Sequence, residues 1–233
     1  IDFLLAVGGG SVIDATKFIA AAACYEGEAW DILCKPGIML TSAVPFGCVL
    51  TLPATGSEMN ANSVISREAT MEKLHFSSFL VYPRFSIMDP TFTFSLPLRQ
   101  VANGIIDTFV HVMEQYMTTV NNAPLQDRQA EAIISTLLEE APRVLSEPQN
   151  YDVRANLMWC AANGLNGLIA CGQKEDWATH MIGHELTAFY GIDHAQSLAV
   201  VLPAVWRYKI KEKHDKLLQY ARRIFLIQSD SED

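Results

Sequence analysis

Charge is scarce in this sequence, and positive charge scarcer still. Only 18% of the 233 residues are charged, and 17 Lys and Arg against 26 Asp and Glu leave a net charge of −9. The basic residues from Arg207 to Lys216 are scattered and form no block, so nucleic acid and anionic membrane surfaces are not expected partners. No apolar run reaches the roughly 18 residues that cross a bilayer, because Asp14 and Lys17 interrupt the apolar stretch from Ser11 to Cys24. Cysteine is rare too. Cys24, Cys34, Cys48, Cys160 and Cys171 make an odd count with no C-x-x-C spacing, which argues for buried cytosolic thiols and against a disulfide framework. Internal repeats and low-complexity segments are missing, and the acidic run from Ser229 to Asp233 is expected to fray. The first residue is Ile1, not Met, and it opens directly on an apolar strand with no basic leader; a natural start upstream is expected.

Apolar residues, in contrast, make up half of the chain. That content suits a well-buried globular protein of one large domain or two small ones, not a disordered chain. Ile1 to Val7 reads as a buried strand, followed by Gly8-Gly9-Gly10-Ser11 and a helical pattern carrying Ile13, Phe18, Ile19 and Ala22. Strand, glycine turn and helix N-terminus form an order that can cradle phosphate, since backbone amides there face an anion. Ser11 and Asp14 have capping-box spacing. The turn is not G-x-G-x-x-G, because Ile13 takes the place of the last glycine, so a plain turn that binds nothing fits equally well.

A second strand, Val44 to Leu52, ends in Pro53-Ala54-Thr55-Gly56-Ser57-Glu58. Ligands of open α/β sheets collect beyond the carboxyl ends of strands, so the two loops could flank one nucleotide, with Thr51, Thr55 and Ser57 as hydroxyl donors. A helix N-cap with an acidic first turn explains Ser57 and Glu58 as well. Short strands are expected at Val64–Ser66, Lys73–Phe76, Leu80–Tyr82 and Phe85–Met88, the first two as a hairpin, together closing the sheet region, and Asp89-Pro90 stops the last. Helical periodicity takes over after about Ser95, so a boundary falls between residues 94 and 95.

The helical half carries the densest set of candidate metal ligands. Trp177 to His194 reads WATHMIGHELTAFYGIDH, with His180 and His184 four apart on one helix face and His194 in the turn beyond Gly191. Two or three imidazoles could serve one site, and a carboxylate partner is needed. Asp107 supplies it, four residues before His111 and among Ile105, Ile106, Phe109 and Val110, where an ionised carboxylate requires a cation or strong donors. Further helices are expected over Leu125–Leu145, Asp152–Ile169, Ala199–Tyr208 with an interruption at Pro203, and His214–Ile227. Tyr116, Trp159 and Trp177 read as core aromatics, and His75 and His214 as structural or solvated. One carboxylate and three imidazoles suit Zn or Fe with a position left for substrate oxygen.

Asp107-x3-His111, the fourteen-residue interval from His180 to His194, Gly8-Gly9-Gly10-Ser11-x-x-Asp14, Thr51-x-Pro53-x-Thr55-Gly56-Ser57-Glu58 and Asp193-His194-Ala195 stand in the order of one family. The chain resembles the iron-containing, or group III, alcohol dehydrogenases. The wording Asp176-Trp177-Ala178-Thr179-His180-Met181 is similar to their NADPH-dependent aldehyde reductase and butanol dehydrogenase branch. The resemblance implies an α/β, Rossmann-like dinucleotide-binding region over residues 1–94 and an all-α metal-binding domain over 95–233. This is a dehydroquinate synthase-like architecture truncated at both ends, its first βα units before Ile1 and its last helices after Asp233. It implies Asp107, His111, His180 and His194 as ligands of one divalent metal, Zn or Fe, and His184 as a second-sphere histidine near substrate and nicotinamide, a choice that spacing alone leaves open. It implies Gly9, Gly10 and Ser11 on the pyrophosphate of NADP(H), with NAD possible, Asp14 in the same motif, Thr51, Thr55 and Ser57 along the cofactor, and Lys73 toward its ribose or phosphate.

The expected activity is hydride transfer between NAD(P)H and an aldehyde or primary alcohol in a cytoplasmic homodimer, the metal polarising the substrate oxygen. A metal-dependent hydrolase using the same Asp and His residues is the alternative, although His180-Met181-Ile182-Gly183-His184 lacks the Glu of H-E-x-x-H. A metal-storing or scaffold protein is a third, non-catalytic reading.

Overall fold

The computed structural model describes residues 1–120 and 122–228; the acidic run at 229–233 lies outside them. β1 (Leu4–Gly9), α1 (Gly10–Ala22), α2 (Asp31–Cys34), β2 (Phe46–Leu52), β3 (Asn62–Arg67), β4 (Glu72–Ser77) and β5 (Ser86–Ile87) form the first half. β1, β2 and β5 lie side by side as a parallel sheet, with Leu4 opposite Phe46 and Cys48 opposite Ser86. A parallel pair needs a crossover, and α1 supplies it by burying Ile13, Ala20 and Ala21 in one cluster with Ala6, Phe46, Cys48 and Leu50. β1 is buried on one face only, since Leu5 and Val7 are exposed while Ala6 is not. The expected strand at Leu80–Tyr82 is instead a 3-10 turn over Phe79–Val81.

The hairpin between Val64 and Phe76 forms as expected, Val64 pairing with His75 and Ile65 with Leu74. It does not close the main sheet but stands apart as a two-stranded sheet against α1. Asp14 explains the attachment. Its carboxylate accepts from the Ser57 hydroxyl at 2.5 Å and from the Val64 amide at 2.9 Å, and its carbonyl accepts from the Ser63 hydroxyl at 2.8 Å. The capping box expected of Ser11 and Asp14 is therefore not made: α1 has no side-chain N-cap, because Asp14 turns inward to tie α1 to the hairpin.

From Leu98 onward the regular elements among the described residues are all helices: α3 (Leu98–Tyr116), α4 (Pro124–Ser146), α5 (Tyr151–Gly164), α6 (Ala178–Tyr190), α7 (His194–Tyr208) and α8 (His214–Ile224). α3 is the hub and packs against α4, α5, α6 and α7. Val112, Met113 and Tyr116 on one side meet Ala130, Ile134 and Ile169, and Val110 on another meets Leu198 and Leu202. The helix expected over Asp152–Ile169 stops at Gly164, and α7 begins at His194 and runs through Pro203 without a break. Trp159 is exposed rather than in the core, as are Cys24, Cys34 and Cys171; only Cys48 and Cys160 are buried, and all five thiols are free.

Candidate metal centre and nucleotide cleft

α3 presents Asp107, His111 and Glu114 at i, i+4 and i+7, all on one helical face and all buried. α6 brings His180 and His184, also buried, and α7 brings His194 at its first residue. Arg99 donates to the Asp193 carboxylate from Nε at 2.9 Å and again from Nη2, while Asn103 Nδ2 donates at 3.0 Å. The residue preceding His194 is thereby pinned to the first turns of α3.

Three imidazole nitrogens ring one oxygen. His194 Nε2, His180 Nε2 and His111 Nδ1 stand 3.6, 3.7 and 3.8 Å from Asp107 Oδ1. These are too long for hydrogen bonds, yet near the about 3.4 Å expected between ligand atoms each about 2.1 Å from a tetrahedral ion. The ligand atoms of Asp107, His180 and His194 all fall within 4.8 Å of one another; His111 falls outside that mutual limit, with its ring 4.5 Å from that of His180. Asp107 Oδ1, His111 Nδ1 and His180 Nε2 are buried with no hydrogen-bond partner among the described residues. Orphaned polar atoms are costly, and a cation would satisfy these three at once, so the donor set fits a divalent metal.

Charge states at Asp107, His111 and His194 agree with that fit. Burial works against ionisation of Asp107, but His111, His194 and His180 outweigh it and hold the carboxyl well below the usual range. Burial pushes His111 down to about 4 and His194 to about 3, leaving each with a free lone pair at neutral pH. His180 moves the other way: burial opposes its charge, and the Asp107 and Glu114 carboxylates prevail. His184 is lowered to about 2 by burial, Lys73 and His194.

The cluster sits in the wall of a cleft of about 1410 Å³. Gly9, Gly10 and Ser11 line it, together with Thr55, Ser57, Lys73, His184 and the four candidate ligands. The two loops read from the sequence do meet: a Cβ on Gly10 would fall 2.6 Å from the Thr55 side chain, so only glycine allows this approach. Gly56, at φ +61°, turns the second loop. Thr51 departs from expectation. It lines a separate hollow with Val7, Val49 and Thr91, because alternate residues of β2 face opposite sides and Leu52 takes the cleft side. Asp14 and Ser57 reach the cleft wall, but their polar atoms are committed to each other and to Val64, so their place is architectural. His75, read as structural or solvated, and Trp177, read as core, both line the cleft; Trp177 sets its ring edgewise 5.2 Å from His180.

Sequence reasoning missed Glu114 and Lys17. Glu114 stands seven residues after Asp107, a spacing that places it on the ligand face. Lys17 is fully buried and donates to Asn60 O at 2.9 Å, Asn60 Oδ1 at 3.0 Å and Asn62 O at 2.7 Å, which holds the far side of the second loop. Its place among Ile13, Ala20 and Ala21 on the inner face of α1 was the available signal.

Residues 1–90 match the model for iron-containing alcohol dehydrogenase, and residues 101–233 match that for the C-terminal region of the Fe-containing alcohol dehydrogenase family. The chain belongs to the iron-containing alcohol dehydrogenase family. It is 58% identical to the NADPH-dependent aldehyde reductase YqhD of Escherichia coli K12, over all of this chain and 61% of that protein. It is 47% identical to a probable NADH-dependent butanol dehydrogenase of Bacillus subtilis, over 97% of this chain and 58% of the relative. The crystal structure of E. coli YqhD superposes with a TM-score of 0.97 over 99% of this chain and 60% of that one. NADH-dependent butanol dehydrogenase A of Thermotoga maritima superposes with a TM-score of 0.95, at 39% identity, over 100% of this chain and 58% of that one. The chain thus spans about three-fifths of the length of these relatives. The family fold agrees with the mixed α/β first half and helical second half.

Proposed function

We propose that the chain carries the cofactor and metal sites of an NAD(P)H-dependent oxidoreductase that interconverts an aldehyde and a primary alcohol. The observation that supports this reading is the convergence of Asp107 Oδ1 with three imidazole nitrogens beside a glycine-lined cleft. Asp107, His111, His180 and His194 would hold one divalent cation, Zn or Fe, since both accept this ligand set. When bound, the cation supplies Lewis acidity toward a carbonyl oxygen and the nicotinamide supplies hydride.

The chain's own residues do the rest. Backbone amides at Gly9, Gly10 and Ser11, at the N-terminus of α1, face an anion and suit a pyrophosphate. Lys73 projects from β4 into the cleft, where its ammonium can meet a ribose or phosphate. The Thr55 hydroxyl accepts from the Ser57 amide at 3.2 Å and keeps its own proton for a ligand. His184 stands 5.0 Å, ring to ring, from His194 and lines the cleft; held neutral, it would orient a water that delivers the proton completing reduction. The relatives' names speak for NADPH or NADH as reductant, and the 58% identity to YqhD favours NADP(H). A cytoplasmic homodimer is proposed with it; five free thiols suit a reducing compartment, and no helix among the described residues is long and apolar enough to cross a membrane.

Nothing supports the hydrolase alternative: the relatives above are reductases and dehydrogenases, and a hydrolase leaves the glycine-lined cleft without a purpose. NADPH fluorescence separates the readings, because a reductase enhances the emission on binding and a hydrolase or metal store does not. Replacing His194 by Ala should lower metal content and NADPH-dependent aldehyde reduction together. Retention of both would reject the assignment.

A further inference from the structure

We propose that Glu114 is a positioning residue for the metal centre, fixing the ring and the tautomer of His180. Its carboxylate is buried between α3 and the start of α6. One oxygen accepts from the backbone amide of Thr179 at 2.5 Å, and the other from the amide of His180 at 3.1 Å and from the His180 ring at Nδ1. α6 has no side-chain N-cap of its own, so a glutamate from a different helix performs that duty and neutralises the positive end of the helix.

The same contact decides which ring nitrogen carries the proton. With Nδ1–H given to Glu114, Nε2 keeps its lone pair and points toward Asp107 Oδ1, 3.7 Å away. An imidazole free to rotate or change tautomer would also present N–H to the site, which cannot ligate a cation. A carboxylate behind a ligating histidine fixes orientation and raises ligand basicity, and its loss costs roughly 10- to 100-fold in metal affinity. Glu114 also joins α3, which carries Asp107 and His111, to α6, which carries His180. One side chain thereby sets the separation of ligands drawn from two helices.

The inference rests on the metal-centre reading of the four ligands, and the test separates the two. Gln at position 114 keeps the volume but has one acceptor oxygen, so it cannot serve the Thr179 amide and the His180 ring in the same geometry. The E114Q variant and wild type are compared by Zn²⁺ affinity in chelator competition. The ¹⁵N chemical shifts of the His180 ring are compared in metal-free protein, and thermal unfolding serves as the control for folding. The expected result is a 10- to 100-fold loss of Zn²⁺ affinity and a shift of His180 from a single Nδ1–H tautomer to a mixture, with E114D restoring part of both. A wild-type tautomer and wild-type affinity in E114Q would overturn the proposal, as would a lowered unfolding temperature with neither of them changed. If wild type itself binds no Zn²⁺, the metal reading fails, while the tautomer comparison still decides the role of Glu114.

Discussion

Asp107 Oδ1 and His194 Nε2 stand 3.6 Å apart across two helices, too far to share a proton and near enough to share an ion. Removing the carboxylate therefore removes the one anionic ligand. The D107A variant should lose Zn²⁺ affinity by more than the roughly 10- to 100-fold typical of an outer-sphere partner. Chelator competition checks this, and affinity within tenfold of wild type would contradict a shared ion.

Thr51 and Thr55 belong to one loop and strand but face different hollows. T55V should weaken NADPH binding about fivefold, the equivalent of one lost hydrogen bond of about 1 kcal/mol. T51V should leave it unchanged. Fluorescence titration of the two variants side by side distinguishes cleft from far face, and equal losses would show that the β2 alternation has been misassigned.

Lys17 holds the Asn60–Asn62 segment through three hydrogen bonds with no exposed surface. K17M removes three donors, leaving the buried Asn60 carbonyl without this partner while Asn60 Oδ1 keeps the Asn62 amide, and should cost about 3 kcal/mol in urea unfolding. The lysine also leaves a pH signature. Burial lowers it from 10.5 to about 8, with Asp14 and Glu58 pulling the other way. Between these two values the unfolded chain holds the proton and the folded one does not, so this group makes stability rise with pH across that window. Wild type should gain stability relative to K17M from about pH 8 to 10.5; parallel curves would count against a buried amine that titrates there.

Gly104 lets α3 approach the second loop, since a Cβ there would fall 2.4 Å from the Pro53 carbonyl oxygen. Alanine gains about 1 kcal/mol of helix propensity, but the obstacle is backbone and cannot swing aside. G104A should be net destabilising by about 1–3 kcal/mol and should weaken NADPH binding by displacing the Thr55 loop. A stabilised G104A with unchanged NADPH affinity would show that the loop gives way freely.

Much of this was legible in one dimension because local chemistry imposes it. A strand followed by three glycines and a helical pattern has few ways to fold, and the cluster of His180, His184 and His194 announces itself by spacing. Asp107 was legible for a thermodynamic reason: a carboxylate among Ile105, Ile106, Phe109 and Val110 needs a partner. The capping box at Ser11 and Asp14 misled because Asp14 found a stronger partnership with Ser57 and Val64, forty-three and fifty residues away. Trp159 is exposed although a large aromatic side chain suggests burial, because α5 carries apolar residues around its circumference and its periodicity singles out no buried face.

The order of residues alone determined which elements form and which side chains have the donors for a cation and a dinucleotide, since both follow from covalent spacing and burial preference. Only tertiary packing decided which of those donors meet. Asp107, His180 and His194 lie on three helices, Thr51 and Thr55 part company by the pleat of one strand, and Glu114 reaches His180 across a helix boundary. Distances between separate helices are set by how their side chains interlock, and that is a property of the assembled core rather than of any one segment.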